Sequence, residues 1–391
     1  MPQHQTEVLV IGGGSTGTAV ARDLAMRGFD TMLVERFGIS QGTTRRYHGL
    51  LHSGGRYVVI DPDAARECIP ENRILRYILP LAIDDTGGYF VLAPGDDPQF
   101  IEDFLSGAAE TGLPTAPVPV AHLLYEEPSL NPAISHAYWV SDAVSYAYIA
   151  TSTTAQSAVD YGARILTHHA VVGLERDNGR VSGAVCQDRY DEEVRIQADY
   201  IVNAAGPLAA KIAALAGAPL SLVPGKGTMV SVEGLPLRSV VNRLRPPQDG
   251  DIIVPKRGEA VVGTTDIEIE DPDDFGVTGA EIAQMLQAGE DLMPGYSRAP
   301  RLEAWAGVRP LFKAGAGITE DTRAVSRSHA LLDHETRDGV AGLVTITGGK
   351  WTTHRLMAEQ TVDLIVAKTG VDRFCRTHLE PVTTEPFEAY A

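Results

Sequence analysis

The chain has 391 residues, 44% of them hydrophobic and 21% charged, which is enough for two packed domains of ordinary globular composition. Its formal net charge of −18 repels phosphate backbones, so we expect no nucleic-acid partner. An anionic ligand would therefore need a local cationic pocket. The cysteines Cys68, Cys186 and Cys375 match no zinc or iron–sulfur spacing, so we predict no metal and a reducing compartment.

The beginning of the chain, MPQHQTEVLVIGGG, passes almost directly into a strand pattern without the basic and apolar segments of a signal peptide. No later run approaches the roughly eighteen apolar residues of a transmembrane helix. We therefore expect a cytoplasmic protein with no membrane-spanning segment.

The first predicted elements form a βαβ unit. Residues 7–11 are an apolar run of strand length, a helix with apolar positions at helical spacing follows and closes at Gly28, and residues 31–35 form a second strand.

Further elements follow along the chain. Asp61 and Pro62 predict a helix start by their capping chemistry. The remaining pattern predicts strands at 87–92, 164–166, 181–185, 200–203 and 343–347, a helix over 146–161, antiparallel strands across 222–265 and a helix from Lys350 to about 368. The tail after Arg376, with its proline and glutamate residues, is expected to be loosely held.

Parallel-sheet strands occur at the beginning, middle and end of the chain, which predicts an α/β fold with a discontinuous Rossmann-like domain. We assign residues 1–83, 144–220 and 329–375 to this domain. An antiparallel-sheet substrate domain would be inserted as residues 84–143 and 221–328, with 376–391 as a tail.

The turn after the first strand contains the fingerprint G-x-G-x-x-G at Gly12, Gly14 and Gly17. Glycine lets the backbone approach a pyrophosphate, and the helix N-terminus supplies free N–H groups and a positive dipole end. Glu35, at the end of the second strand, is placed to accept hydrogen bonds from ribose hydroxyls. The motif predicts a bound dinucleotide without distinguishing FAD from NAD.

The segment from Thr43 to Tyr57, TTRRYHGLLHSGGRY, combines two histidines with three arginines. Since histidine titrates near neutral pH, either His48 or His52 is a candidate general base, and the other would only donate a hydrogen bond. We therefore expect a catalytic pH limb near neutrality.

Several motifs, in this order, resemble the FAD-dependent glycerol-3-phosphate dehydrogenases: Gly42-Thr-Thr-Arg45, His52-Ser-Gly-Gly-Arg-Tyr57, Val202-Asn-Ala-Ala-Gly206, Gly263-Thr-Thr-Asp266, Gly307-Val-Arg-Pro-Leu311 and Gly348-Gly-Lys-Trp-Thr-Thr353. His48-Gly-Leu-Leu-His-Ser-Gly and Ala65-Arg-Glu-Cys68 look closer to the catalytic subunit of the anaerobic type. The resemblance covers nearly the whole chain. It implies a two-domain flavoprotein of the D-amino-acid-oxidase superfamily that oxidises sn-glycerol 3-phosphate to dihydroxyacetone phosphate by hydride transfer to flavin N5.

The resemblance also implies site residues. Catalysis falls to His48 and His52, because Met229 stands where the aerobic type has a histidine. The substrate set is Arg56, Tyr57, Arg309, Arg327 and Lys350. Gly54 and Gly55 are expected to leave room for the flavin face. The cofactor set is Gly12, Gly14, Ser15, Thr16, Gly17, Glu35, Arg36, Thr43, Thr44, Arg45, His52, Val171, Ala205, Gly206, Gly349, Lys350, Trp351 and Thr352, in which the helix start at Lys350 would face the flavin pyrimidine.

Several alternatives stay open. A related flavin site could oxidise L-2-hydroxyglutarate or another 2-hydroxy acid, and a third reading is a non-catalytic flavin-binding subunit. The anaerobic-type subunits continue into a C-terminal domain with a cysteine-rich segment, and no such cysteine cluster occurs in the 391 residues of this sequence. Electrons would then pass to a quinone, a partner subunit or a soluble acceptor, with peripheral association at the inner face of the membrane through such a partner.

Overall fold

The computed structural model describes residues 3–312 and 328–388. Its strands are β1 Gln3–Ile11, β2 Thr31–Glu35, β3 Leu50–Leu51, β4 Ile83–Asp84, β5 Gly88–Leu92, β6 Thr115–Pro117, β7 His136–Val140, β8 Ala143–Ser145, β9 Arg164–Thr167, β10 Ala170–Asp177, β11 Arg180–Gln187, β12 Glu193–Asn203, β13 Leu222–Val232, β14 Val240–Arg243, β15 Ile252–Lys256, β16 Glu259–Gly263, β17 Ile267–Glu268, β18 Arg301–Phe312, β19 His329–Asp333 and β20 Leu343–Gly348.

The α-helices are α1 Ser15–Met26, α2 Pro62–Ile78, α3 Phe100–Thr111, α4 Val120–Glu126, α5 Ala147–Asp160, α6 Ala209–Leu215, α7 Gly279–Leu292, α8 His334–Asp338 and α9 His354–Thr369. None of the helices in the described ranges combines the length and apolar character needed to cross a bilayer.

The first sheet is built on parallel strands from three separate stretches of the chain. The strands β9, β2, β1, β12 and β20 lie side by side and parallel. Antiparallel strands extend the sheet: β11 pairs with β12, β10 pairs with β11, and β19 pairs with β20. Both faces are buried, as a parallel sheet requires. Val8 and Val10 of β1 pack beneath α1, α5 and α9, while Leu9 and Ile11 pack on the opposite face with Ile212 of α6.

The second sheet is mainly antiparallel. Its strand order is β17-β13-β16-β15-β14-β5-β7-β6, and β18 also pairs with β13. Among these strands only β14 and β5 pair in parallel. A small sheet of β3, β8 and β4 lies apart from both. The α/β fold with an added antiparallel sheet is therefore as the sequence predicted, while the exact domain boundaries stay a prediction.

Local signals placed several elements correctly. β2 covers the predicted strand, and α2 begins at Pro62, where the Asp61 carboxylate accepts a hydrogen bond from the Ala64 N–H at 3.2 Å. The helix expected at Lys350 is displaced. Lys350 is extended, a 3₁₀ turn covers Trp351–Thr353, and α9 begins only at His354.

The expectation of a loosely held tail is wrong for residues 376–388. Val382 is 2% exposed and packs in the cluster that contains Leu75 and Ile78. The Arg22 guanidinium donates to the carbonyl of Glu380 at 2.9 Å, and the Phe387 N–H donates to the carbonyl of Ser152 at 3.0 Å. The proline and glutamate content of this segment favours a loosely held tail, but the buried Val382 and these hydrogen bonds attach it to the first domain.

Candidate active site

A cavity of about 1220 Å³ lies between the two large sheets. Residues at the carboxyl ends of β1, β2 and β12 line one side, and residues of β13, β16 and β18 line the other. The carboxyl edge of a parallel sheet is where α/β proteins bind ligands, because strand ends and helix N-termini converge there.

The glycine fingerprint forms the first part of the cavity wall. Gly12 has φ +113°, and a Cβ at this position would lie 2.5 Å from the carbonyl oxygen of Ala204. Gly14, Ser15 and Thr16, which are among the candidate cofactor-binding residues of the sequence, also line the cavity. Gly17 does not line it. A Cβ there would lie 1.9 Å from the carbonyl oxygen of Gly12, so Gly17 permits close packing of α1 against the turn.

Glu35 at the end of β2 is oriented by backbone donors. One carboxylate oxygen accepts from the Gly13 N–H at 2.6 Å, and the other accepts from the Phe37 N–H at 2.9 Å. Glu35 lines the cavity, and each oxygen keeps a lone pair for a further donor. The carboxylate is therefore preorganised to accept hydrogen bonds from hydroxyl groups of a ligand.

The 3₁₀ turn Thr43–Arg46 connects the two halves of the cavity. The Thr44 hydroxyl accepts from the Ser15 N–H at 3.0 Å, and the Thr43 hydroxyl donates to the carbonyl of Val308 at 2.6 Å. Both threonines line the cavity, whereas Arg45 does not, and its guanidinium lies 5.6 Å from the Tyr148 ring centroid.

Other predicted cofactor residues are placed as follows. Arg36 lines the cavity and pairs with Asp273 through both terminal nitrogens, at 3.1 and 2.6 Å. Thr352 lies behind the lining, where its hydroxyl accepts from the His52 N–H at 3.0 Å. The remaining members of the set line the cavity, namely Val171, Ala205, Gly206, Gly349, Lys350 and Trp351.

His48 lies at the cavity with its protonation defined by the backbone. Its Nδ1 accepts from the Leu50 N–H at 3.1 Å, so the neutral ring carries its proton on Nε2. Burial, reinforced by the charges of Arg309, Lys256 and Arg56, lowers the pKa of His48 to about 3. At neutral pH this ring is therefore a hydrogen-bond donor at Nε2 with no free acceptor.

His52 differs from His48 in the surroundings of its ring. Its backbone carbonyl accepts from the Asn72 amide at 3.1 Å, which with Thr352 holds the residue in place. Within the described residues no group hydrogen-bonds to the His52 ring. The ring lies at the cavity, and its centroid is 5.3 Å from the centroid of the Tyr57 ring. Burial is the largest cause that lowers the pKa of His52 well below 6.5, and the charges of His48, Lys350 and Arg56 lower it further. The ring is neutral at pH 7 and able to accept a proton.

The predicted cationic cluster is largely brought together. Arg56, Arg309 and Lys350 line the cavity, as does Tyr57, whose ring centroid is 5.1 Å from Lys350 Nζ. Arg327 lies outside the described residues. Each described cation also contacts a carboxylate, and the pairs are Arg56 with Asp251 at 2.6 Å, Lys350 with Glu67 at 3.6 Å, and Arg309 with Asp266.

The interpretation of Gly54 and Gly55 as a flavin-facing gap is wrong. A Cβ on Gly54 would lie 3.1 Å from the carbonyl of Ala65 in α2, and one on Gly55 would lie 2.6 Å from the Phe90 ring. Neither glycine lines the cavity. They allow the backbone after His52 to pack closely against α2 and β5.

Sequence reasoning missed the carboxylates that hold the cations. Asp266 belongs to the motif Gly263-Thr-Thr-Asp266, so that motif offered a signal, but no pattern marks Asp251. Met229, which stands where the aerobic type has a histidine, lines the cavity. A Cβ on Gly263 would lie 2.7 Å from Met229 Cγ and 3.5 Å from the His48 ring, so these side chains are neighbours.

One group outside the cavity has metal-binding side chains. Glu359, Cys375 and His378 have ligand atoms within 4.8 Å of one another. However, Arg355 already pairs with Glu359 at 2.7 Å, and burial raises the pKa of the Cys375 thiol to about 11, which disfavours the thiolate that a metal needs. The absence of a bound metal stays a prediction.

The fold and the cavity define a two-domain dinucleotide-binding protein whose cavity is lined by His48, His52 and several cations. A family model for FAD-dependent oxidoreductases matches residues 7–364, and the chain belongs to this family. The predicted D-amino-acid-oxidase superfamily and the predicted cofactor, FAD, are thereby confirmed.

Curated relatives are similar over most of the chain. It is 43% identical over 385 residues to the A1 subunit of anaerobic glycerol-3-phosphate dehydrogenase from Haloferax volcanii, covering 96% of this chain and 66% of that protein. It is 40% identical over 377 residues to the corresponding subunit of the anaerobic enzyme from Escherichia coli K12, covering 96% and 69%. The chain thus spans about two thirds of the length of these relatives.

Solved structures share the fold. The X-ray structure of glycerol-3-phosphate dehydrogenase from Bacillus halodurans complexed with FAD has a TM-score of 0.71 at 26% identity, covering 96% of this chain and 67% of that one. L-alpha-glycerophosphate oxidase from Mycoplasma pneumoniae with FAD bound has a TM-score of 0.77 at 19% identity, covering 95% and 97%, which supports the fold alone.

Proposed function

We propose that this chain oxidises sn-glycerol 3-phosphate to dihydroxyacetone phosphate with FAD as the cofactor. The observation that carries the proposal is that Gly12 and Gly14 of the dinucleotide fingerprint line one cavity together with His52 and three cations, Arg56, Arg309 and Lys350. The relatives named above as glycerol-3-phosphate dehydrogenases support the same substrate.

The cavity residues fit FAD. The wall at Gly12 has no room for a side chain, the Ser15 end of α1 faces the cavity, and the Glu35 carboxylate is oriented for ribose hydroxyls. The backbone at this turn can thus approach a pyrophosphate beside a positive helix end. Bound FAD supplies the acceptor for the hydride of the carbinol carbon.

In the proposed reaction, His52 takes the hydroxyl proton of the substrate on a ring nitrogen. Its lowered pKa keeps the ring neutral at pH 7, so that it holds a lone pair for this proton. His48 donates from Nε2, because Leu50 occupies its Nδ1. The proton and the hydride together account for the two hydrogens lost when the alcohol becomes a ketone.

The cations are proposed to bind the phosphate dianion. In a protein of net charge −18 the cavity must supply local positive charge, and guanidinium groups can engage a phosphate with two parallel hydrogen bonds. Arg56 and Arg309 are each oriented by a carboxylate on one side, which limits the rearrangement required for binding.

The route of the electrons is part of the proposal. The relatives in Haloferax volcanii and Escherichia coli are named as subunits. We propose that electrons leave through a partner subunit or a quinone, and that such a partner brings the chain to the inner face of the membrane.

Anaerobic mixing with candidate substrates tests the function. sn-Glycerol 3-phosphate should bleach the flavin, whereas glycerol and L-2-hydroxyglutarate should do so poorly. Faster bleaching by 2-hydroxy acids would favour the 2-hydroxy-acid dehydrogenase, and no bleaching by any compound would favour a non-catalytic flavin-binding subunit.

A further inference from the structure

The carboxylate of Asp251 is a buried centre of hydrogen bonding next to the cavity. It is 0% exposed and immediately precedes β15. Its Oδ2 accepts hydrogen bonds from the Arg56 guanidinium and from the Gln248 N–H, each at 2.6 Å. Its Oδ1 is contacted by Nε and Nη2 of Arg245 at 2.8 and 2.7 Å. A buried carboxylate is costly unless it is paired and hydrogen-bonded, and here donors reach both oxygens.

Arg56 uses only one side of its guanidinium for this contact. Nη2 donates to Asp251 and also to the carbonyl of Gln248 at 3.2 Å. Nη1 is buried and has no hydrogen-bond partner within the described residues. Arg56 nevertheless lines the cavity. Because an unpaired buried N–H of a cation is costly, a ligand at this position is the natural partner for Nη1.

We propose that Asp251 is a positioning residue that holds Arg56 so that Nη1 donates to the anionic group of the substrate. This inference rests on the proposed function. A guanidinium is planar and rigid, so anchoring one terminal nitrogen orients the other. Arg245 and the Gln248 N–H restrain the Asp251 carboxylate in turn, and the anchor is therefore itself fixed.

The alternative role for Asp251 is simple charge neutralisation, and it predicts the opposite result. A carboxylate 2.6 Å from Arg56 weakens the positive potential at the cavity. If neutralisation were its only role, removing the charge would tighten anion binding. If Asp251 positions Arg56, removing the charge should weaken anion binding, because the guanidinium becomes free to rotate away.

The test compares Asp251→Asn with Asp96→Asn. Asp96 is a matched control because it is also a buried carboxylate, 1% exposed at its side chain, and pairs with Arg243 at 2.6 Å and with Arg245 at 3.6 Å. Its contacts in the described residues do not include Arg56. Both variants are first checked for FAD content and melting temperature.

Asp251→Asn should raise the KM for sn-glycerol 3-phosphate and the inhibition constant of inorganic phosphate by about tenfold to 100-fold, with kcat changed less than about threefold. Asp96→Asn should leave both constants near wild type. Adding Asp251→Asn to Arg56→Met should cost little beyond Arg56→Met alone, since a positioning residue acts through the residue that it holds.

Wild-type or tighter phosphate binding in Asp251→Asn, or additive losses in the double variant, would overturn the inference while leaving the proposed function intact. A wild type that neither binds phosphate nor oxidises the substrate would overturn the proposed function itself. If Asp251→Asn does not fold, Arg56→Lys decides, because a lysine keeps the charge but lacks the second nitrogen. Its KM should rise by a similar factor, and an unchanged KM would refute the positioning role.

Discussion

The rings of His48 and His52 meet edge to face, with their centroids 6.5 Å apart. The two histidines look equivalent in the sequence, yet their ring nitrogens are used differently. His48 accepts the Leu50 N–H on Nδ1, whereas the nitrogens of the His52 ring have no hydrogen-bond partner within the described part of the chain. This difference supports the proposal that His52 accepts the proton and that His48 donates a hydrogen bond.

His52→Asn should therefore slow flavin reduction by roughly 10²–10⁴-fold, the usual contribution of a general base, while FAD stays bound. His48→Asn should have a smaller effect, since asparagine can still donate a hydrogen bond from its amide. Anaerobic rapid mixing isolates this step from the electron acceptor. A larger loss in His48→Asn than in His52→Asn would reverse the assignment.

The pH dependence should follow the lowered pKa of His52. The group is neutral, and so active as a base, above its folded pKa, which means that kcat/KM rises with pH through that value and then levels off. Because burial lowers this pKa well below 6.5, the limb should lie below the near-neutral range expected from the sequence. A limb centred at pH 7, or one that survives in His52→Asn, would contradict this assignment.

Arg309→Met should reduce kcat/KM for sn-glycerol 3-phosphate by a factor equivalent to roughly 2–4 kcal/mol, mainly through KM, because a charge-assisted contact to the phosphate would be lost. Arg298→Met is a matched control, since the Arg298 side chain is 78% exposed. Steady-state assays with an artificial electron acceptor measure both variants. Equal wild-type activity on glycerol and on its phosphate would argue against the cationic clamp.

Glu35→Ala should weaken FAD binding by about 1.5–3 kcal/mol, because it removes a charged acceptor for ribose hydroxyls and releases the Gly13 N–H. Fluorescence of FAD released on dilution gives the dissociation constant. Glu193→Ala, at the start of β12 and away from the cavity lining, should retain FAD like the wild type. The wild-type FAD should leave the denatured chain, and flavin that stays attached would contradict non-covalent binding.

The buried pair of Glu71 and Arg355 predicts a stability effect away from the cavity. The Glu71 carboxylate accepts from Arg355 Nε at 2.9 Å, and both side chains are almost fully buried. Glu71→Ala should lower the free energy of unfolding by about 1–3 kcal/mol, since it removes the buried carboxylate partner of Arg355 while the contact with Glu359 at 2.7 Å remains. Adding Arg355→Met should recover part of the loss. Urea unfolding measures both, and a loss under about 1 kcal/mol in the single variant would show that water reaches the guanidinium.

The sequence alone was sufficient for the local parts of this protein. The strand, glycine turn, helix and second strand up to Glu35 follow from hydrophobic period and from glycine chemistry within about 30 residues. The helix start at Pro62 follows from its cap. The resemblance of scattered motifs added the family and the cofactor, which the family match confirms.

The tertiary structure decided which side chains meet. Arg56 pairs with Asp251 across 195 positions of sequence, and Arg309 contacts Thr264 across 45, distances over which no local pattern links the partners. Gly54 and Gly55 pack against α2 and β5 because of how those elements cross, which composition cannot reveal. The roles of the two histidines depend on whether a backbone N–H reaches a ring nitrogen. Hydrogen bonds need a matched donor and acceptor within about 3 Å, and only the packed fold sets such distances.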